Sequence, residues 1–221
     1  MTPERYQIIR DVLDKRQPDL TVVMDGVNKP HNFNAIVRSC DATGVFSAHY
    51  IPIEEGEKFK LLKNTAKGSQ KYVKVHRHDD FSVAAQQLKA SGHQLLAAHL
   101  SEDAVDFRSV DYTQPTAIVF GAELHGVSDQ TLEIVDQHIV IPMVGMVESF
   151  NVSVAAALIL YEAQQQRMRA GLYDKPALPA DIYQKTLFEW CWPKVAAHYQ
   201  RLGKSYPVLD EQGYFEDSER E

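Results

Sequence analysis

Long apolar runs are missing from these 221 residues. None approaches the roughly 18 apolar positions that a membrane-spanning helix requires. The opening stretch is charged and has no apolar segment of the secretory kind, so the expectation is a soluble, cytoplasmic protein. Cysteine is scarce: Cys40 and Cys191 stand far apart and in no metal-ligand spacing, which excludes a disulfide scaffold and predicts two reduced thiols. Basic residues are not in excess. Lys and Arg total 23 against 30 Asp and Glu, for a net charge of −7, so no global field advertises nucleic acid. The chain also lacks a P-loop and a G-x-S-x-G elbow. Gly121 and Gly126 fail as a dinucleotide fingerprint because Glu123 stands where the second glycine belongs. His76 and His78 alternate on a strand candidate with no third ligand in view, so no metal is expected. There are no internal repeats or low-complexity tracts.

What is present is a chain that is 44% apolar, enough for a sizeable core. Its local charge is uneven. Lys58, Lys60, Lys63, Lys67, Lys71, Lys74 and Arg77 follow one another with no acid between them, while residues 210–221 are acidic. Thr2-Pro3-Glu4 has the form of a helix start. Tyr6, Ile9, Val12 and Leu13 then recur at helical spacing, which leaves Arg5, Arg10, Lys15 and Arg16 on the more exposed side. Strands are predicted at 20–24, 48–53, 72–75, 94–100, 117–120 and 139–143. Helices are predicted over 32–43, closed by Gly44, from Asp79-Asp80 to Gly92, from Ser128, and from Asn151, with Val154, Ala155, Leu158 and Tyr161 on its packed face. Residues 171–179 read as a linker, and Pro193 starts the last of one or two amphipathic helices. Strands alternating with helices indicate an α/β domain with a mainly parallel sheet.

Three stretches place polar residues where apolar strands end, a common location for ligands in such sheets. They hold Asn32 and Arg38, then Gly121 and Glu123, then Ser149, Phe150 and Asn151. Singly, each has a plain alternative. Asn32 suits a helix N-cap, Arg38 an ion pair with Asp41 or Glu123, and Glu123 the start of a helix.

Together, the pattern N-x5-R, G-x-E-x-x-G and I-P-M-x5-S-x-N-V-S-x-A resembles the three motifs of the SpoU/TrmH branch of the SPOUT RNA methyltransferases. The resemblance spans nearly the whole chain, from the opening helix through RQPDLTVVMDGVNKPHN to LYEAQQQR. It implies a SPOUT-type α/β methyltransferase domain at 19–170, with a mainly parallel sheet and a trefoil knot formed by its C-terminal segment. Helical extensions are implied at 1–18 and 171–221, and a homodimer as the assembly. The activity implied is S-adenosyl-L-methionine-dependent 2′-O-methylation of the D-loop guanosine 18 of tRNA. Alternatives on the same scaffold are another tRNA position, ribosomal RNA, or a silent RNA-binding protein.

By match, Ala98, His99, Leu100, Gly121, Ile141, Met143, Phe150 and Asn151 surround the cofactor, largely through backbone groups. Asn32, Arg38, Glu123, Ser149 and Asn151 form the catalytic set. Relatives often carry threonine and leucine where Ala98 and Phe150 stand, which backbone contacts tolerate. The family proposal makes Arg38 the group that helps remove the hydroxyl proton. A guanidinium stays charged at neutral pH, so clamping the adjacent phosphate and stabilising the oxyanion is the alternative. Arg5, Arg10, Arg16, Lys63, Lys67 and Lys71 are then expected to face RNA.

Overall fold

The computed structural model describes residues 1–53 and 71–215. These divide into two compact units, one within 17–172 and one joining 1–16 to 173–215.

The larger unit is a seven-stranded sheet in the order β3-β2-β1-β6-β4-β7-β5, with every pairing parallel. Its strands are β1 (Leu20–Asp25), β2 (Ser47–Ile51), β3 (Lys74–Arg77), β4 (Gln94–Ala98), β5 (Val105–Asp106), β6 (Thr116–Gly121) and β7 (Gln137–Val140). The central strands β1 and β6 are buried at every position, as a parallel sheet covered on both faces demands. Alternate residues feed two cores. Val22, Met24, Ile118 and Phe120 pack with Phe33, Ile36 and Val37 of α2 (Pro30–Ala42) and Ile159 and Leu160 of α5 (Val152–Arg169). Val23, Ala117 and Val119 pack on the other face with Phe81, Ala85 and Leu88 of α3 (Phe81–Ala90). The short α4 (Asp129–Ile134) begins at Ser128, whose hydroxyl accepts from Thr131 N as the sequence predicts.

One buried charge closes this unit. Arg167 is fully buried on α5 and donates to Tyr112 O at 2.8 Å, Gln17 Oε1 at 3.0 Å, Asp19 Oδ1 at 2.6 Å and Gln114 O at 3.0 Å. A buried guanidinium is tolerable only when its donors are satisfied in this way.

At the sheet edge, register puts His49 of β2 beside His76 of β3, and the period of two puts His78 on the same face. His49 Nδ1 lies 2.8 Å from His78 Nε2. Burial first, and then His78, His76 and His93, push the His49 pKa down to about 4. The folded value lies below the unfolded 6.5, so between them the unfolded chain binds a proton that the folded chain refuses. Stability from this group is complete above pH 6.5 and falls as pH drops toward 4, by on the order of 3 kcal/mol. Urea unfolding at pH 7 and pH 4 checks this: His49→Gln is expected to lose about that much less than the parent on acidification. Equal losses would place the acid sensitivity elsewhere.

The smaller unit contains α1 (Pro3–Leu13), α6 (Ala180–Cys191) and α7 (Pro193–Leu202). Tyr6, Ile9 and Leu13 of α1 are buried, as are Leu187, Phe188 and Trp190 of α6. Tyr206 stacks on Phe188 at 4.7 Å, and Trp192 Nε1 donates to Gly213 O.

Four expectations are corrected. Arg16 is buried rather than exposed, because its guanidinium lies 5.2 Å from the Trp190 ring centroid. Val12, expected on the packed face of α1, is 42% exposed. The apolar run at 139–143 leaves the sheet after Val140, and Ile141 and Met143 belong to a loop. On α5 the packed face is Ala156, Ile159, Leu160 and Ala163, while Val154, Leu158 and Tyr161 are exposed.

Candidate active site

The carboxyl ends of β4, β6 and β7 and the amino end of α5 enclose a cleft of about 490 Å³. That volume lies within the range of small-molecule sites, roughly 300–1,000 Å³. Its walls include Ala98, His99, Leu100, Gly121, Ile141, Met143, Phe150 and Asn151, together with Glu123 and Ser149. All eight residues expected around the cofactor therefore meet in one place. Sequence reasoning missed Lys29 and Glu148, which also line it. Neither has a helical or strand period to mark it.

The second motif is a closed loop. Ala122 and Gly126 exchange two backbone hydrogen bonds of 2.8 Å, and Gly126 adopts φ +70° to do so. Gly121 lies so close to the returning limb of the loop that a Cβ there would collide with the backbone of Gly126 and Val127. Both glycines are thus required by geometry, and Glu123 is carried at the loop's tip. Asp25, at the end of β1, anchors the exit by accepting from Ser128 N at 3.0 Å and Ser128 Oγ at 2.9 Å. Nothing in the sequence pattern singles out Asp25, since its partner is remote in the chain.

The three motifs are joined by one hydrogen-bonded chain. Asn32, buried in the first turn of α2, donates from Nδ2 to Glu123 Oε1 at 2.5 Å. Its Oδ1 accepts from Asn151 Nδ2 at 3.2 Å. Asn151 in turn caps α5, its Oδ1 accepting from Ser153 N at 2.9 Å and Ser153 Oγ at 2.7 Å. Asn32 is therefore a linker between motifs and not the N-cap, a position that Lys29 holds. Ser149 is exposed on the cleft wall.

His99 is fixed by its backbone N–H, which donates to Ile139 O at 3.1 Å, and its ring meets that of His138 edge to face at 5.3 Å. Burial, and then His138, lower its pKa, which favours a neutral imidazole in the cleft.

Arg38 stands apart. Six residues beyond Asn32, it is turned about 120° away around the helix. It is exposed, lines no part of the cleft, and makes no hydrogen bond or ion pair among the described residues. The ion pairs considered for it with Asp41 or Glu123 are not formed.

The basic residues expected to face RNA differ in exposure. Arg5, Lys15 and Lys71 are exposed, Arg10 is half-buried with its guanidinium 5.7 Å from the Tyr6 ring, and Arg16 is withdrawn into the interior. Lys63 and Lys67 lie outside the described residues. Among the described residues no group of three or more His, Cys, Asp or Glu is placed to hold a metal ion, and no helix is long and apolar enough to cross a membrane.

Comparison with known proteins gives consistent relatives. Residues 19–161 match the model of the SpoU rRNA Methylase family, and residues 165–218 match its C-terminal model. The tRNA (guanosine(18)-2'-O)-methyltransferase of Escherichia coli strain K12 is 47% identical over 218 residues, covering 98% of this chain and 94% of the relative. The crystal structure of the Aquifex aeolicus TrmH/SpoU tRNA modifying enzyme superposes with a TM-score of 0.81 at 46% identity, covering 87% of this chain and 97% of that one. The SpoU methyltransferase AviRb from Streptomyces viridochromogenes, in complex with AdoMet, superposes with a TM-score of 0.62 at 26% identity, covering 71% and 62%.

Proposed function

We propose that this chain, which belongs to the SpoU rRNA Methylase family, uses S-adenosyl-L-methionine to methylate the ribose 2′-oxygen of guanosine 18 in tRNA. The observation that carries the reading is the chain Glu123–Asn32–Asn151, which ties the three motif loops around one cleft. The name and near-complete coverage of the Escherichia coli relative support tRNA over ribosomal RNA as substrate.

The cleft suits the cofactor. Leu100, Ile141, Met143 and Phe150 offer apolar surface, and the strand ends at Ala98 and Gly121 offer backbone donors and acceptors. When bound there, S-adenosyl-L-methionine supplies a methyl group activated by a sulfonium leaving group. The protein's task is then to align an acceptor oxygen and raise its nucleophilicity. Asn32 and Asn151 spend their hydrogen bonds on each other, on Glu123 and on the start of α5, so they act by holding the loops in place. Ser149 and the free oxygen of Glu123 remain to meet a ligand. Arg38 takes the anion-binding role, its cation clamping a phosphate beside the target ribose and stabilising the developing oxyanion.

In this reading the protein is a cytoplasmic homodimer, with the segment 141–151 and α5 forming the trefoil knot. Val144, Met146, Val147 and Phe150 are exposed, and Val154, Leu158 and Tyr161 are exposed at helical spacing along α5, an amount of uncovered apolar surface of the kind that marks an interface. Pairing through that surface gives the outlying Arg38 a cleft to serve, that of the second protomer. Residues 1–18 and 171–221 act as extensions to the methyltransferase domain of 19–170, with Arg5, Arg10 and the lysines at 63, 67 and 71 holding RNA phosphates.

The test is labelled methyl transfer to unmodified whole tRNA, with nuclease mapping of the product. A single 2′-O-methylguanosine at position 18 is expected. Transfer to ribosomal RNA alone, or to another tRNA nucleotide, would overturn the substrate assignment.

A further inference from the structure

We infer that Lys29 is a positioning residue for the nucleic-acid substrate, holding a backbone phosphate at the mouth of the cleft. The inference rests on the RNA-methylating reading above. Lys29 lies at the end of the turn between β1 and α2, in the N-cap position, with φ −79° and ψ 116°. Its carbonyl serves the helix by accepting from Asn32 N at 3.0 Å and Phe33 N at 3.1 Å. Its side chain contributes nothing to the cap. N-cap positions favour Ser, Thr, Asp and Asn, whose side chains accept from the first turn, and a cation there opposes the helix dipole. No acid in the first turn of α2 offsets it. A lysine at this position is therefore locally unfavourable, and a residue that breaks a local rule is expected at a working site.

The placement indicates the work. Lys29 is exposed, lines the same cleft as Glu123 and Asn151, and makes no side-chain hydrogen bond or ion pair among the described residues. It is only three residues from Asn32, about 60° around the helix, whereas Arg38 is turned to the opposite side. Lys29 thus belongs to this protomer's own cleft, whose wall it shares with Asn151.

An ammonium in that position needs an anion. Two are available to this reaction: a phosphate of the substrate backbone and the carboxylate of the cofactor. The cofactor carries a sulfonium and an ammonium against one carboxylate, so its net charge is positive and a nearby lysine repels it overall. Nucleic acid presents a phosphate on either side of the target ribose. Charge favours the phosphate.

The test compares Lys29→Ala, Lys29→Glu and Lys29→Arg with the parent, using unmodified whole tRNA and, separately, S-adenosyl-L-methionine. Loss of one phosphate contact is expected to weaken tRNA binding about tenfold in Lys29→Ala at low salt and to reduce the slope of log K against log salt by about 0.7–0.9. Lys29→Glu is expected to fall further and Lys29→Arg to recover most of the affinity. Cofactor affinity by calorimetry should stay within about twofold of the parent, since no cofactor contact is lost. Unchanged tRNA affinity and salt slope in Lys29→Ala would overturn the inference. So would a loss confined to cofactor affinity, which would assign Lys29 to the carboxylate. A parent protein that binds no tRNA would instead overturn the functional reading itself.

Discussion

Two inactive variants, Arg38→Ala and Asn151→Ala, are expected to restore activity to each other when unfolded and refolded as a mixture. Each alone should lose about 100-fold or more in kcat, the first by losing transition-state charge stabilisation and the second by loosening the cleft. Asn151 lies on the cleft wall and is bonded to Asn32, whereas Arg38 points away from that cleft on the same helix as Asn32. If each working site draws Arg38 from one protomer and Asn151 from the other, a mixed dimer has one site with both defects and one with neither. Random pairing in a two-fold dimer makes half the molecules mixed, so about a quarter of parental activity should return. A mixture as inactive as its components, with dimers confirmed by ultracentrifugation, would confine the site to one protomer. Asn151→Ala also removes the α5 cap, at a cost of about 1 kcal/mol, so both variants should be shown to fold before mixing.

Gly121→Ala is expected to abolish cofactor binding outright. A single methyl group at that position collides with the backbone of Gly126 and Val127, which no side-chain rotation can relieve. The loop must open, the paired bonds between Ala122 and Gly126 must break, and Glu123 must leave Asn32. Calorimetry with S-adenosyl-L-methionine should register a loss of affinity greater than about 100-fold, equivalent to about 3 kcal/mol. Parental affinity in Gly121→Ala would mean that the loop is softer than its hydrogen bonds imply.

The sequence made the helix starts and most of the strands legible, because their signals are local. Thr2-Pro3, Asp80 and Ser128 each cap the helix they were expected to cap, and Pro193 opens the last one. It failed where an apolar residue has two possible destinations. Ile141 and Met143 continue an apolar run but line the cleft instead of extending β7, since apolarity reports burial and not strand pairing. Helix α5 carries apolar residues around much of its circumference, so periodicity could not decide between Ala156-Ile159-Ala163 and Val154-Leu158-Tyr161 as the inner face. Arg16 was read as exposed because its partner, Trp190, is distant in sequence. At the site, the motif residues were legible through the family pattern. The bonds among them were not, and these separate Asn32 from Arg38 in role.

Arg167 has a consequence for the time course of folding. Its guanidinium is satisfied by groups at Gln17 and Asp19, near the start of the larger unit, and by Tyr112 and Gln114 in its middle, more than fifty residues away in every case. Until those segments arrive, the charge must stay in water, so α5 cannot dock on its own. The last helix of the unit thus waits for the first strand. A fold sealed by such a long-range contact pays its loop-closure entropy before it gains the contact, so it assembles slowly and opens as a whole.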